Sequence, residues 1–116
     1  MLGFDQPIRA VIIGASGGIG DAFVRAITQD DANQVWATAR NTASLRTQPT
    51  HSSQVDITDE DSLVRLAHEL SEVDYHPNFI INCTGVLHTR EFGPERTWRH
   101  FDIDVMRSVF DVNAFG

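Results

Sequence analysis

The stretch from Arg9 to Gly20, which reads RAVIIGASGGIG, constrains the fold of this chain more than any other. A short apolar run is followed by glycines at positions 14, 17, 18 and 20, and then by apolar residues at helical spacing. The order strand, glycine turn, helix is typical of sites that hold a nucleotide pyrophosphate at a helix N-terminus. The alternative is a tight strand-to-helix turn that binds nothing.

The positions of apolar residues predict four short strands separated by helices. Strands are predicted at residues 8–13, 35–39, 53–55 and 79–81, and helices at residues 18–29, from residue 58 and from residue 102 or 104. Near-continuous apolar runs favour parallel strands that are covered on both faces. The alternation of strands with helices along the chain predicts right-handed β-α-β units. We therefore expect an α/β fold: one domain over residues 1–116, with the N-terminal half of a Rossmann-type doubly wound parallel sheet.

Each of the first two helices is predicted to bury one apolar face. The predicted buried residues are Ile19, Ala22, Phe23, Ala26 and Ile27 in the first helix, and Leu63, Leu66, Ala67 and Leu70 in the second. The second helix is expected to start after an N-cap at Thr58, with Asp61 at the third helical position. Its acidic first turn would complement the helix dipole.

The composition narrows the class of partner. The net charge of −7 and the pI near 5.0 argue against a nucleic-acid surface, and all nine basic residues are arginine. No apolar run approaches the roughly 20 residues of a membrane helix, and the N-terminus lacks the pattern of a signal peptide. The single cysteine, Cys83, excludes an internal disulfide and suits a reducing compartment. We expect a cytoplasmic protein with neither a nucleic-acid nor a membrane partner.

The glycine loop supplies the first group of predicted cofactor contacts. Gly14 would permit the tight turn, and Gly18 and Gly20 would permit close approach of the ligand and of the helix to the strand. Ser16 can add a hydroxyl donor to a phosphate. The predicted cofactor-binding residues of the loop are Gly14, Ser16, Gly17, Gly18, Ile19 and Gly20.

The residue after the second strand bears on the choice between NAD and NADP. An acidic residue there would bind the ribose 2′-hydroxyl of NAD, whereas an arginine would pair with the 2′-phosphate of NADP. This sequence has Ala39 followed by Arg40, with no acid at either position. The pattern favours NADP, with NAD as the alternative; a solvated loop charge is the other interpretation of Arg40.

The motif GASGGIG, from Gly14 to Gly20, resembles the T-G-x-x-x-G-x-G motif of the short-chain dehydrogenase/reductase family, with Ile13 in place of the threonine. Asp56 and Ile57 match the family's D-[VIL]-[TS] element. The resemblance implies that the Asp56 carboxylate accepts a hydrogen bond from the adenine amino group. Without the resemblance, Asp56 would be an ordinary aspartate at the end of a strand.

Two later segments extend the resemblance. The run NCTG stands where the family has N-N-A-G, and in relatives that element lines the ribose side of the cofactor. The residues it implies as cofactor contacts are Asn82, Thr84 and Gly85. Asn113 matches the asparagine of V-N-x-x-G, which in relatives helps to hold a proton-relay water. Residues 87–95 resemble the C-factor-like subgroup of the family.

The family's serine, tyrosine and lysine do not occur in their motif in this chain. Its one tyrosine, Tyr75, is followed four residues later by Phe79, and there is no lysine. The resemblance therefore implies the cofactor half of an NADP-preferring oxidoreductase, truncated before the catalytic segment, with a small carbonyl or alcohol substrate and a homo-oligomeric parent. The rival interpretation is a non-catalytic dinucleotide-binding or signalling module.

The five histidines show no spacing typical of metal ligands. His88 and Arg90 follow the fourth predicted strand, where open α/β sheets bind ligands. A contact with substrate or nicotinamide is one interpretation of this pair, and a solvent-exposed or packing role is the other.

Overall fold

Four short strands form one parallel sheet in the computed structural model of the chain, which describes residues 6–84. The strands are β1 (Arg9–Ile13), β2 (Gln34–Ala39), β3 (His51–Gln54) and β4 (Phe79–Asn82). The helices are α1 (Gly18–Thr28), between β1 and β2, and α2 (Glu60–Glu72), between β3 and β4; one 3₁₀ turn, Thr42–Ser44, follows β2. The order across the sheet is β3-β2-β1-β4, with all three pairs parallel.

This strand order confirms the predicted fold class. From β1 the chain passes to β2 and β3 on one side and later to β4 on the other side, so the direction of winding reverses between β1 and β4. That reversal is the switch point of a doubly wound sheet, and ligands of such folds bind beyond the carboxyl ends of the strands at this place.

Side chains that alternate along the strands build a separate apolar cluster on each face of the sheet. The cluster on the α1 face contains Ile8, Ala10, Ile12, Ala15, Val24, Ile27, Val35 and Ala37. The cluster on the α2 face contains Val11, Trp36, Val55, Leu66 and Tyr75. Burial on both faces explains the near-continuous apolar runs of the two central strands.

The predicted apolar face of α1 was wrong at two positions. Ile19 is 70% exposed and Ala22 is exposed, whereas Gly20 and Val24 are buried against the sheet. The face begins at Gly20, which lies against the preceding loop, and successive helical residues are rotated by about 100°. A side chain one position earlier therefore points away from the sheet.

The prediction of the third strand and of the start of α2 also needs correction. β3 runs over His51–Gln54 rather than residues 53–55. The N-cap of α2 is Asp59, whose carboxylate accepts from the Asp61 amide at 3.1 Å. The Thr58 hydroxyl, predicted to cap the helix, donates instead to the carboxylate of Asp56. Ala67, predicted to lie on the buried face of this helix, is exposed.

An aromatic cluster on the α2 face is held by hydrogen bonds. The rings of Trp36 and His51 stack with centroids 4.5 Å apart, and Tyr75 meets Trp36 edge-on at 5.3 Å. The Trp36 indole donates to Ser53 at 2.8 Å, and the Tyr75 hydroxyl donates to the carbonyl of Ala10 at 2.7 Å. Burial raises the pKa of Tyr75 to about 12. The phenol is thus a structural donor.

We predict that the domain loses stability at high pH through Tyr75. Its pKa is raised above the unfolded value of about 10, so the stabilisation is complete below pH 10 and is lost as the pH rises toward 12. Tyr75→Phe should abolish this dependence and cost about 1 kcal/mol of unfolding free energy at neutral pH. Phenolate absorbance and denaturant unfolding at several pH values measure both effects. A tyrosine that titrates near pH 10 in the folded protein would contradict the prediction.

Candidate functional site

The carboxyl ends of three strands meet at one edge of the sheet. Ile13, the last residue of β1, is in register with Thr38 of β2 and with Asn82 of β4. The loop after β1 is joined to this edge because the Ala15 amide donates to the Thr38 carbonyl at 2.8 Å. On the other side, the Cys83 amide donates to the Ile13 carbonyl at 2.7 Å. The predicted loop and strand ends are therefore brought together.

Close contact between two glycines shapes the turn from β1 into α1. Gly14 has φ 82°, in the left-handed region that side chains disfavour. At Gly20, an added Cβ would lie 2.2 Å from the Gly14 carbonyl oxygen and 2.8 Å from the Cα of Ala15. The first turn of α1 thus rests directly on the loop, as predicted from the spacing of these glycines.

The middle of the loop is open. An added Cβ at Gly17 or at Gly18 would meet no atom within 4 Å. Gly17 is the N-cap of α1 and offers no side chain to the helix, so the amides of the first turn lack a capping acceptor. Ser16 is half-buried beside them, and the side chain of Ile19 is exposed. The space and the amide donors suit a phosphate group.

Arg40 lies immediately beyond β2 and is exposed. Its carbonyl accepts from the Gln54 side chain at 3.0 Å, which joins it to the end of β3. Within residues 6–84 the guanidinium forms no hydrogen bond or ion pair within the usual distances. A cation is therefore available at this edge of the sheet for an anionic ligand.

Asp56 follows β3 and is half-buried, as is Ile57. One carboxylate oxygen, Oδ1, accepts from the amide of Thr58 at 2.9 Å and from its hydroxyl at 2.6 Å. The hydroxyl of Thr58, then its amide, and the charge of Arg40 together hold the pKa of Asp56 below its usual value. Asp56 is therefore an ionised acceptor in a defined orientation.

Ser62, which was not among the predicted site residues, is only 3% exposed. Its hydroxyl accepts from the Asp56 amide at 3.1 Å and lies 2.8 Å from the carbonyl oxygens of Asp56 and Asp59 as a donor. Serine at the third position of a helix that begins after an aspartate N-cap was the available signal. Placing the cap at Thr58 shifted the helix by one residue and hid it.

Asp21 was also missed, although it is 5% exposed in the first turn of α1. Its carboxylate accepts from the Thr47 hydroxyl at 2.7 Å and pairs with Arg25 at 3.0 Å and with Arg46 at 3.8 Å. The Thr47 hydrogen bond and the two arginine charges keep its pKa below the usual value against the effect of burial. The spacing of Asp21 and Arg25 signals the ion pair; nothing local signals Thr47.

The predicted residues of the NCTG run have different outcomes. Asn82 ends β4 at the site edge, and Cys83 packs in the core on the α1 face, where burial raises the pKa of its thiol. Thr84 is half-buried and begins a second compact unit. Gly85 and Asn113 lie outside the described residues, as do His88, Arg90, the segment 87–95 and the last predicted helix.

Two further findings concern the described part of the chain alone. Within residues 6–84, no three side chains among histidine, cysteine, aspartate and glutamate are arranged to hold a metal ion. Neither α1 nor α2 has the length and apolarity required to cross a bilayer.

A family model described as short chain dehydrogenase matches residues 9–116. Comparison with curated proteins gave no match. Among solved structures, a short chain dehydrogenase from Leptospira borgpetersenii serovar Hardjo-bovis, with bound NAD+, aligns with a TM-score of 0.73 and 20% identity, over 95% of this chain and 41% of that one. A short chain dehydrogenase from Burkholderia cenocepacia in complex with NADP aligns with a TM-score of 0.69 and 25% identity, over 95% and 44%.

An aldohexose dehydrogenase from Thermoplasma acidophilum, in ligand-free form, aligns with a TM-score of 0.70 and 20% identity, over 95% of this chain and 40% of that one. The chain thus spans less than half the length of each of these three solved relatives. It covers 41% of the Leptospira protein, 40% of the Thermoplasma protein and 44% of the Burkholderia protein. The likeness to the two relatives at 20% identity concerns the fold.

We predict that Gly20→Ala disrupts the turn, because the new methyl group would overlap the Gly14 carbonyl. The free energy of unfolding should fall by about 1–3 kcal/mol, the usual cost of overpacking. Gly18→Ala is the matched control, since it places the same methyl group in open space. Thermal unfolding of both variants measures the difference, and equal midpoints would show that the contact is unimportant.

Proposed function

The chain belongs to the short-chain dehydrogenase family, and from this membership we propose that its strand-end site binds a nicotinamide dinucleotide, with NADP preferred to NAD. The observation that carries the proposal is the open loop at Gly17 and Gly18 beside the uncapped start of α1. A pyrophosphate there would accept hydrogen bonds from backbone amides in a place where any larger residue would intrude.

The preference for NADP rests on Arg40. An arginine at the end of the second strand is suited to pair with a 2′-phosphate, and no acidic residue is present there to bind a free 2′-hydroxyl. Arg40 is exposed and is not engaged by a carboxylate within residues 6–84. Among the solved relatives, one was crystallised with NAD+ and another with NADP, so the support comes from this chain's own residues.

Asp56 is proposed as the adenine contact. Its Oδ1 atom is engaged by Thr58, while among the described residues no hydrogen bond involves Oδ2. An ionised oxygen near Arg40 is suited to accept from the exocyclic amino group of adenine.

For the whole protein we propose hydride transfer between the nicotinamide and a small carbonyl or alcohol substrate in the cytoplasm. The dinucleotide supplies or receives the hydride, and this part of the chain binds and orients it. Tyr75 is unsuited to act as the proton donor, because its hydroxyl is buried and donates to the Ala10 carbonyl. The family's reaction uses a serine, a tyrosine and a lysine that do not occur in their motif in these 116 residues, and we propose that Asn113 holds a relay water for them. We also propose that the whole protein is a homo-oligomer and that it belongs to the C-factor-like subgroup of the family.

A non-catalytic dinucleotide-binding module is the second candidate, and the burial of the single tyrosine together with the lack of lysine favours it for this chain. An assay for nicotinamide oxidation or reduction with a panel of carbonyl and alcohol substrates separates the two when it is run on the whole protein, since these 116 residues alone are expected to be inactive under both candidates. Tight cofactor binding by the whole protein without turnover would support the module.

We predict that Gly18→Asp abolishes dinucleotide binding while the protein stays folded. The carboxylate would enter open space at the loop and repel a phosphate at short range, so affinity should fall by at least about 100-fold. Titration calorimetry measures the affinity and far-UV circular dichroism the fold, with Gly18→Ala as the control for the added Cβ. Unchanged affinity in Gly18→Asp would refute the proposed site.

We predict that Arg40→Asp weakens NADP binding by about tenfold or more and leaves NAD binding equal or tighter, since it replaces a partner of the 2′-phosphate with a like charge. Arg65→Asp, at an exposed position of α2, makes the same change in net charge away from the strand ends and serves as the control. Equal losses of affinity for NAD and NADP in Arg40→Asp would exclude the 2′-phosphate role.

A further inference from the structure

We propose that Ser62 is a positioning residue that sets the selectivity of the site for adenine, by holding the backbone of Asp56 in place. The inference rests on the proposed function, because it concerns the adenine end of the same dinucleotide. It assigns to a buried helix residue an effect on a ligand that the residue itself does not touch.

The hydroxyl group of Ser62 forms hydrogen bonds with both backbone groups of Asp56. The Ser62 oxygen accepts from the amide of Asp56 at 3.1 Å and lies 2.8 Å from the carbonyl of Asp56 as a donor. Both peptide groups that flank the Asp56 side chain are thereby tied to the first turn of α2. Ser62 is 3% exposed, so bulk water has little access to replace the hydroxyl if it is removed.

The carboxylate of Asp56 is restrained as well. Oδ1 is occupied by two donors from Thr58, at 2.9 Å and 2.6 Å, which limits rotation of the side chain. The Asp59 amide donates to the Asp56 carbonyl at 2.9 Å and closes the turn. Backbone and side chain are therefore both restrained, and Oδ2 is the oxygen that no group among the described residues engages.

An ionised carboxylate oxygen accepts a hydrogen bond from the amino group of adenine, but it repels the carbonyl that hypoxanthine carries at the same ring position. A site discriminates between such analogues only when its polar group is held to within about 0.5 Å of the productive position. If the Asp56 backbone could move by more than this, the carboxylate would turn away from the hypoxanthine carbonyl and the selectivity would fall.

A purely structural role makes a different prediction. Ser62 also lies 2.8 Å from the Asp59 carbonyl, within the first turn of α2, and in that role its loss would lower stability and weaken all ligands alike. The ratio of two affinities separates these roles. The analogues differ only at the adjoining C6 and N1 positions of the base, on the edge that Asp56 would contact, so a general loss of order cancels in the ratio.

The experiment measures dissociation constants for NADP, or for NAD if it binds more tightly, and for the analogue with hypoxanthine in place of adenine. Wild type should prefer adenine, and Ser62→Ala should reduce the preference by about tenfold, the size expected when a buried hydrogen-bond partner is removed. Ser71→Ala, the same substitution at an exposed position of α2, should leave the preference unchanged. Asp56→Ala should remove it, and adding Ser62→Ala to Asp56→Ala should change the ratio no further.

Several results would overturn the inference. An unchanged ratio in Ser62→Ala, or a further loss when the substitution is added to Asp56→Ala, would show that Ser62 does not act through Asp56. Ser62→Cys, which keeps the volume with a weaker donor and acceptor, is measured in parallel. Failure of both variants to fold would make Ser62 a folding residue and would also overturn the positioning role. Wild type that binds both analogues equally would overturn this inference and leave cofactor binding intact, whereas wild type that binds neither would refute the proposed function.

Discussion

The contact between the start of α1 and the carbonyl of Gly14 is the constraint on which the site depends. A Cβ at position 20 would lie 2.2 Å from that oxygen, so the helix can approach the loop only with glycine there. The contact also sets the rotation of the helix. Val24 and Ile27 then face the sheet, and Ile19 points outward at the open end of the strands.

Hydrogen bonds to the backbone take over where apolar packing ends. The clusters on the two faces of the sheet hold the strands together, but they do not fix the loops beyond the strand ends. Those loops are held by backbone hydrogen bonds from Ala15 to Thr38 and from Cys83 to Ile13. A third anchor is the pair of hydrogen bonds between the Ser62 hydroxyl and the backbone of Asp56. Directional bonds are suited to this because packing alone leaves a loop free to slide.

Two charged side chains near the site differ in their partners: Asp21 forms ion pairs, whereas Arg40 forms none within residues 6–84. Asp21 lies one helical turn from Gly17, to whose carbonyl its amide donates, and it would repel a phosphate if it were uncompensated. Its carboxylate pairs with two arginines and accepts a hydrogen bond from a threonine hydroxyl. Arg40 forms no ion pair within residues 6–84, although its charge lowers the pKa of the nearby Asp56, so its exposed guanidinium stays accessible to an anionic ligand. The acidic chain, with a net charge of −7, thus keeps one local cation for a ligand.

The sequence alone determined the parallel sheet, the glycine turn and the position of Arg40 after β2, because apolar runs, glycine spacing and strand ends are local patterns. It misjudged the exposed side of α1, since a helical pattern of small and apolar residues leaves its rotation ambiguous by about 100°. It placed the start of α2 one residue too early, since Thr58 and Asp59 are both suitable N-cap residues. Only tertiary structure decided that rotation, through the close approach of Gly20 to Gly14. The contact of Ser62 with Asp56, six residues away, had a local signal in the aspartate N-cap of α2. The contact of Thr47 with Asp21 spans 26 residues and had none, because it depends on where separate elements pack.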